Sequence, residues 1–147
     1  MRVSRWLVPA LLILLVVVVG CTPASAPAGN NGDLPRTISP QDAQSRLQND
    51  ENVVLLDVRT PGEWANDGRS PDAILIPLDE LESRAQSELN PDDTIIVICR
   101  SGNRSQIAAE QLRQMGFSHV TEVEGGMRNW VAQGLPIECD VATCGLQ

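Results

Sequence analysis

The residues with the clearest chemical potential run from Cys99 to Ser105, in the order Cys-Arg-Ser-Gly-Asn-Arg-Ser. An apolar, β-branched stretch over residues 94–98 precedes them, and a helical pattern from Gln106 to Met115 follows. We therefore expect Cys99 to leave the end of a buried strand and to enter a glycine-containing loop that opens a helix. The backbone N–H groups of such a loop favour a thiolate over a thiol and favour an anion beside it. The sequence thus predicts a nucleophilic cysteine in an anion-binding loop.

The side chains of this loop are small, polar or basic, which disfavours the alternative of an inert buried cysteine. Arginine offers a planar fork that matches an oxyanion. Arg100 at the loop mouth and Arg104, folded back towards the cysteine, are therefore predicted to bind substrate, with a solvated arginine as the alternative. Gly102 permits a backbone that aims successive N–H groups inwards. The other loop residues assigned to substrate binding hydrogen-bond the loop or cap the helix: Ser101, Asn103 and Ser105.

Asp57 and Arg59 form a second polar group at the end of another apolar strand, residues 53–57. We expect Asp57 to accept hydrogen bonds from its loop and Arg59 to pair with a carboxylate, although a plain turn at a strand end fits the same residues. Trp64, on the short helix that follows, either lines the pocket or packs in the core. Sites in parallel sheets lie at the carboxyl ends of the strands, so Asp57 and Cys99 are predicted to be neighbours.

Strand and helix patterns alternate from residue 37 to residue 138. Strands are predicted near residue 38 and over residues 53–57, 74–76, 94–98 and 120–123. Helices are predicted after Ser39-Pro40, Thr60-Pro61 and Gly125-Gly126, and over residues 78–89 and 106–115. This alternation predicts an α/β domain with a mostly parallel sheet of about five strands and helices on both faces.

The first 36 residues are not expected to belong to this domain. Two arginines and the apolar run Leu7–Val19 indicate an export signal over residues 1–20, because a membrane-spanning helix needs about 20 apolar residues. The run ends in Val-Val-Gly-Cys, which resembles a bacterial lipoprotein signal. Cys21 would then carry the lipid, palmitate included, and begin a disordered linker over residues 21–36. We expect an extracytoplasmic, lipid-anchored protein; an ordinary signal or anchor with an incidental cysteine is the alternative.

Charge narrows the choice of partners. Loss of residues 1–20 would leave nine arginines, no lysine and nineteen acidic residues. Such an acidic surface disfavours nucleic acid and anionic lipid as surface partners. Membrane attachment would therefore depend on the lipid at Cys21.

Three segments together resemble the single-domain rhodaneses. They are residues 57–59 (Asp-Val-Arg) with Glu63-Trp64, the loop of residues 99–105, and residues 124–130 (Glu-Gly-Gly-Met-Arg-Asn-Trp) with residues 134–137. The resemblance covers about residues 37–138 and implies a rhodanese-like fold. One departure is that family members often carry Gly-His-Ile-Pro-Gly-Ala before the third strand. Residues 68–73 here are Gly-Arg-Ser-Pro-Asp-Ala, for which we expect a similar turn.

The resemblance also implies a thiosulfate sulfurtransferase. The Cys99 thiolate would attack a sulfane sulfur donor such as thiosulfate and hold the sulfur as a persulfide. Cyanide or a thiol would then accept it. No metal or organic cofactor is implied, and we expect a monomer.

Two other functions are open. Related phosphatases and arsenate reductases place an arginine six positions after the cysteine, where this chain has Ser105; the shorter loop closed by Arg104 is typical of sulfur transfer. A non-catalytic rhodanese-like module would bind a partner, although such modules commonly lack the cysteine.

The tail, residues 139–147, contains two further cysteines. Cys139 and Cys144 are predicted to form a small disulfide loop. Alternatively, one of them takes sulfur from Cys99, which would make the domain an extracytoplasmic thiol or persulfide relay. A metal site is disfavoured because no suitable histidine lies near these two cysteines.

Overall fold

Five strands and five α-helices alternate along the part of the chain that the computed structural model describes, residues 34–140 and Cys144. The export signal, the lipidation of Cys21 and most of the linker lie outside the described residues. The strands are β1 (Thr37–Ile38), β2 (Val53–Asp57), β3 (Ala73–Leu75), β4 (Thr94–Ile98) and β5 (Val120–Val123). The helices are α1 (Pro40–Asn49), α2 (Pro61–Asp67), α3 (Leu81–Glu88), α4 (Asn103–Gln114) and α5 (Gly126–Ala132), with a short 3₁₀ helix over Leu78–Glu80.

The strands form one parallel sheet in the order β1-β5-β4-β2-β3. β4 is central, and its register with β2 places Asp57 opposite Ile98. Val58 N–H donates to the Ile98 carbonyl at 3.0 Å, which ties the chain after β2 to the chain after β4. The residues that follow the two strands therefore leave the sheet at the same edge.

Both faces of the sheet are buried, which explains why its central strands are apolar throughout. Leu56 and Val97 pack in the cluster that includes α3 and α4. Leu55 and Ile96, which alternate with them along the strands, pack in the cluster that includes α1 and α5. The predicted α/β class, with five parallel strands and helices on both faces, is confirmed.

The start of α1 follows the sequence prediction. Ser39 Oγ accepts from the backbone N–H of Asp42 at 3.1 Å, and Pro40 occupies the first turn. α4, however, begins at Asn103, three residues before the predicted Gln106. Gly102 caps this helix with φ +107°, so one residue turns the chain and the second half of the cysteine loop is already helical.

Two other boundaries also differ from the prediction. β3 covers Ala73–Leu75, one residue earlier than predicted, because its pairing with β2 ends where Leu75 meets Asp57. The helical pattern over residues 78–89 divides into the 3₁₀ turn and α3. Within the described residues, no helix combines the length and the apolar character needed to cross a membrane.

Candidate active site

The centre of the site is the sulfur of Cys99, the first residue after β4. Its side chain is 1% exposed, at the base of the loop that leads into α4. Gly102 N–H donates to Cys99 Sγ at 3.1 Å. The fully buried Ser105 hydroxyl has no hydrogen-bond partner among the described residues, so it is free to donate to a group bound in the loop. The loop thus closes around the sulfur with donors.

These donors change the acidity of the cysteine. Burial raises the pKa of the Cys99 thiol. Hydrogen bonds from the Ser105 hydroxyl and from the backbone N–H groups of Ser105, Ser101 and Gly102 outweigh that effect, and the net pKa is lowered. A lowered pKa increases the fraction of nucleophilic thiolate near neutral pH.

The N-terminus of α5 packs directly behind the loop. Met127 N–H donates to the Cys99 carbonyl at 2.8 Å, and Arg128 N–H donates to the Arg100 carbonyl at 3.1 Å. Gly126 makes this approach possible, because a Cβ there would overlap the Cys99 carbonyl oxygen and lie 2.9 Å from Arg100 C. The helix therefore binds the carbonyl groups of the loop while the loop N–H groups face the sulfur.

Asp57 and Arg59 form a buried ion pair at the end of β2. Arg59 Nη2 donates to Asp57 Oδ2 at 2.7 Å, and Arg59 backbone N–H donates to Asp57 Oδ1 at 3.0 Å. Both side chains are 0% exposed. Arg59 Nη2 also donates to the Gly68 carbonyl at 2.7 Å. The pair therefore fixes the loop after β2 and the segment after α2, and within the described residues it makes no hydrogen bond to the cysteine loop. Trp64 is buried, 9% exposed.

Arg104 lies next to the loop but is held by a partner outside it. Its Nη1 and Nη2 donate to the two carboxylate oxygens of Glu63, at 2.7 and 2.6 Å. Glu63 is placed for this by a capping box at the start of α2, in which Thr60 N–H donates to Glu63 Oε2 at 3.0 Å. Arg104 lowers the pKa of Glu63 to about 2. Since the guanidinium is occupied, the role of Arg104 in binding substrate stays a prediction.

Arg100 is the other cation of the loop. It is half-buried, it forms no salt bridge among the described residues, and its buried Nε has no partner there. Ser101 and Asn103 are exposed. Of the two predicted substrate-binding arginines, Arg100 is thus the one without an ionic partner among the described residues.

Residues 138–140 and Cys144 lie against the segment that departs from the family pattern. Cys139 and Cys144 are joined by a disulfide, with Cα atoms 5.8 Å apart. A Cβ on Gly68 would lie 3.1 Å from Cys144 Sγ. The backbone of Arg69 exchanges two hydrogen bonds with Glu138, at 2.9 and 2.7 Å, and Arg69 Nη1 pairs with Asp140 at 2.8 Å. The segment is therefore held by the tail on one side and by Arg59 on the other.

Two contributors to the site are not predicted from the sequence, although both belong to motifs named above. For Glu63, the available signal is the pattern Thr-x-x-Glu at residues 60–63, which indicates a capping box. For Gly126, it is the pair of consecutive glycines. Cys99 is the free cysteine of the described residues, and no group of three or more His, Cys, Asp or Glu side chains there is arranged to hold a metal ion.

A buried cysteine with a lowered pKa, whose sulfur accepts from a loop N–H at the carboxyl edge of a parallel sheet, is the arrangement of a cysteine-dependent group-transfer domain. The chain belongs to the Rhodanese-like domain family, whose match covers residues 39–133.

Relatives of this chain include named sulfurtransferases. It is 39% identical over 100 residues to a sulfurtransferase of Allochromatium vinosum, across 68% of this chain and 92% of that protein. It is 33% identical over 101 residues to the thiosulfate sulfurtransferase GlpE of Glaesserella parasuis, across 69% of this chain and 91% of that protein. Some other relatives are longer, and this chain covers as little as 20% of their length.

The fold has close counterparts among solved structures. The solution structure of the rhodanese-like domain of the Anabaena Alr3790 protein matches with a TM-score of 0.68 and 30% identity. That match covers 78% of this chain and 89% of the other. Together, the family and its relatives support a sulfurtransferase role.

Proposed function

We propose that this protein transfers a sulfane sulfur from thiosulfate, or a similar anionic donor, through a persulfide on Cys99 to cyanide or a thiol. The observation that carries the proposal is the hydrogen bond from Gly102 N–H to the buried Cys99 Sγ at 3.1 Å, in a loop whose donors lower the pKa of that thiol. These donors stabilise negative charge on sulfur, which is the property that both halves of the reaction need.

In the first half, the Cys99 thiolate attacks the outer sulfur of thiosulfate. A bond forms between Cys99 Sγ and that sulfur, the sulfur–sulfur bond of thiosulfate breaks, and sulfite leaves with the electron pair. The persulfide that results is an anion. The loop N–H groups that lower the pKa of Cys99 are available to its outer sulfur.

In the second half, cyanide or a thiolate attacks the outer sulfur of the persulfide. The bond between the two sulfurs breaks, and its electron pair returns to Cys99 as thiolate. Neither half requires an external oxidant or reductant. Because Cys99 is the leaving group in this step, a stabilised thiolate accelerates it.

Arg100 is the residue we assign to donor binding, since its charge has no ionic partner among the described residues. Arg100→Gln should lower kcat/KM for thiosulfate by about tenfold or more, the effect expected when a charge-assisted hydrogen bond is lost. Arg128→Gln is the matched control, because Arg128 is exposed and its one hydrogen bond to the loop among the described residues is donated by its backbone N–H. Equal effects of the two variants would contradict this assignment.

The central test combines turnover with direct detection of the persulfide. The purified protein should form thiocyanate from thiosulfate and cyanide, and mass spectrometry should find one added sulfur atom on Cys99 after thiosulfate alone. Cys99→Ser should abolish both signals. A folded wild-type protein with neither signal would refute the proposal. Partner capture that survives Cys99→Ser would instead favour the binding-module alternative.

Direct transfer is favoured over a relay through the tail cysteines. Cys139 and Cys144 are bonded to each other and packed against Gly68, which leaves neither sulfur as a free thiol to receive the sulfane sulfur. A relay would require that bond to be reduced. Turnover with thiol acceptors that falls in Cys139→Ser would support the relay.

We also propose that the protein is exported and held at the extracytoplasmic face of a bacterial membrane by lipid on Cys21. The apolar run that ends in Val-Val-Gly-Cys supports this. Bacteria that express the full chain and are fed labelled palmitate should label it, and Cys21→Ser should remove the label. Labelling that persists in the variant, or is absent from the wild type, would refute the anchor.

A further inference from the structure

A groove of about 430 Å³ opens beside the cysteine loop, between the residues that follow β2 and the first turns of α4. Its volume falls within the roughly 300–1,000 Å³ typical of small-molecule sites. Its apolar walls are Val58, Leu78 and Ile107. The groove therefore offers an aliphatic surface beside the loop that carries Cys99.

Ile107 is the unusual member of these walls. At 52% exposure, it is the one large apolar side chain exposed among residues 34–140. It lies one helical turn after Arg104 and one turn before Gln111, both of which also line the groove, so the three form one strip of α4. The solvent-facing side of α4 is otherwise polar, and this apolar position coincides with the groove.

The groove borders the site of the proposed reaction. Val58 packs in the same buried cluster as Cys99. Arg104, a residue of the loop that carries Cys99, is itself part of the groove wall. A molecule in the groove would therefore lie within reach of the cysteine loop.

The charges that border the groove limit what can enter it. The charge of Arg104 is already matched by Glu63. Asp79 is exposed, lines the groove, and makes no side-chain hydrogen bond or ion pair within residues 34–140. The uncompensated charge is therefore negative, which disfavours an anionic occupant and tolerates an uncharged one.

We infer that this groove is the acceptor subsite of the proposed sulfur transfer, that it binds the aliphatic chain of an uncharged thiol, and that Ile107 determines this specificity. The inference rests on the sulfurtransferase function proposed above. In the transfer, the thiol loses its proton to solvent, and its thiolate attacks the outer sulfur of the Cys99 persulfide. The new sulfur–sulfur bond forms on the acceptor, the bond to Cys99 Sγ breaks, and Cys99 is released as thiolate.

The test uses the full chain, loaded with sulfur by thiosulfate and freed of excess donor. It is mixed with mercaptoethanol, mercaptopropanol or mercaptobutanol, and the loss of persulfide is followed by mass spectrometry, with rates corrected for each thiolate fraction. Each added methylene should raise the second-order rate constant about two- to fourfold, since full burial of one methylene is worth about 0.8 kcal/mol. In Ile107→Ser the series should be nearly flat. Gln106→Ser, at the adjacent exposed position, should retain the wild-type slope.

A parallel comparison addresses charge. Mercaptopropionate should react roughly threefold more slowly than mercaptopropanol, a size typical of exposed charges, and Asp79→Asn should narrow that gap. A flat series in a wild-type protein that forms thiocyanate would overturn the inference and leave the proposed function intact. Equal slopes in wild type and Ile107→Ser would also overturn it. A wild-type protein that forms no persulfide would overturn both.

Discussion

Replacing Gly126 by alanine tests whether the start of α5 determines the shape of the Cys99 loop. Gly126 has φ +61°, a left-handed conformation that costs an alanine about 1 kcal/mol. The new Cβ would also lie 2.9 Å from Arg100 C and from Ser101 N, against 3.4 Å or more in an ordinary contact, and closer still to the Cys99 carbonyl oxygen. The helix and the loop must therefore separate by about half an ångström or more.

That separation weakens the two hydrogen bonds from α5 to the loop, each worth about 1 kcal/mol. We expect Gly126→Ala to lower the free energy of unfolding by about 3 kcal/mol. Because the same movement shifts the N–H groups around the sulfur, we expect sulfur transfer per folded molecule to fall by roughly 10²-fold. Denaturant unfolding and thiocyanate formation measure the two effects.

Gly134→Ala is the matched control. Gly134 has φ +70°, close to that of Gly126, but a Cβ placed there would have no atom beyond its chain neighbours within 4 Å. This variant should lose only the backbone cost of about 1 kcal/mol and keep its turnover within about twofold. If the two variants had equal stability and equal turnover, close packing of α5 on the loop could not be what shapes the site.

Three further predictions concern charge, redox state and acidity. Glu63→Gln should lower the free energy of unfolding by about 1–2 kcal/mol after allowance for solvent screening. Because the pKa of Glu63 is lowered from 4.5 to about 2, the stability difference between wild type and variant should be full above pH 4.5 and should be lost as the pH falls towards 2. A stability difference that stays constant in acid would contradict the ion pair. Replacing both Cys139 and Cys144 by serine should lower the free energy of unfolding by about 2 kcal/mol while thiocyanate formation changes less than twofold; a larger loss of turnover would indicate a relay. The alkylation rate of Cys99 should reach its plateau at a lower pH than that of a free thiol, because the thiolate fraction rises as the pH passes the lowered pKa. Ser105→Ala should shift this pH–rate profile to higher pH. An unchanged profile would exclude the hydroxyl as a donor to the sulfur.

The sequence alone predicts those features of the molecule that depend on residues close together in the chain. The cysteine loop is one contiguous run between a buried strand and a helix, so its position at the sheet edge follows from the pattern of residues 94–115. The uniformly apolar strands predict burial on both faces, and the structure confirms it. The predicted start of α4 is wrong because polar residues such as Ser101 and Asn103 fit a loop or a first helical turn equally well.

The sequence alone does not predict contacts between residues that are far apart along the chain. Arg104 and Glu63 are 41 positions apart, and nothing in their spacing indicates that the guanidinium pairs with that carboxylate. The docking of Cys139 against Gly68 likewise depends on how the tail returns to the segment after α2. Such pairings arise from the assembled fold, where burial and opposite charge select partners that one-dimensional patterns do not encode.

The burial of Cys99 has a consequence for the size of the molecules that can react with it. At 1% exposure, the resting sulfur is accessible only to a slender donor. In the proposed persulfide, the reactive atom is a second sulfur about 2 Å further out, because a sulfur–sulfur bond has that length. The loaded protein thus presents its reactive atom nearer to the loop mouth than the empty protein does. Donor and acceptor thus meet different steric limits: we expect a bulky thiol to react with the sulfur-loaded protein, whose reactive atom lies further out than the buried sulfur of the unloaded protein.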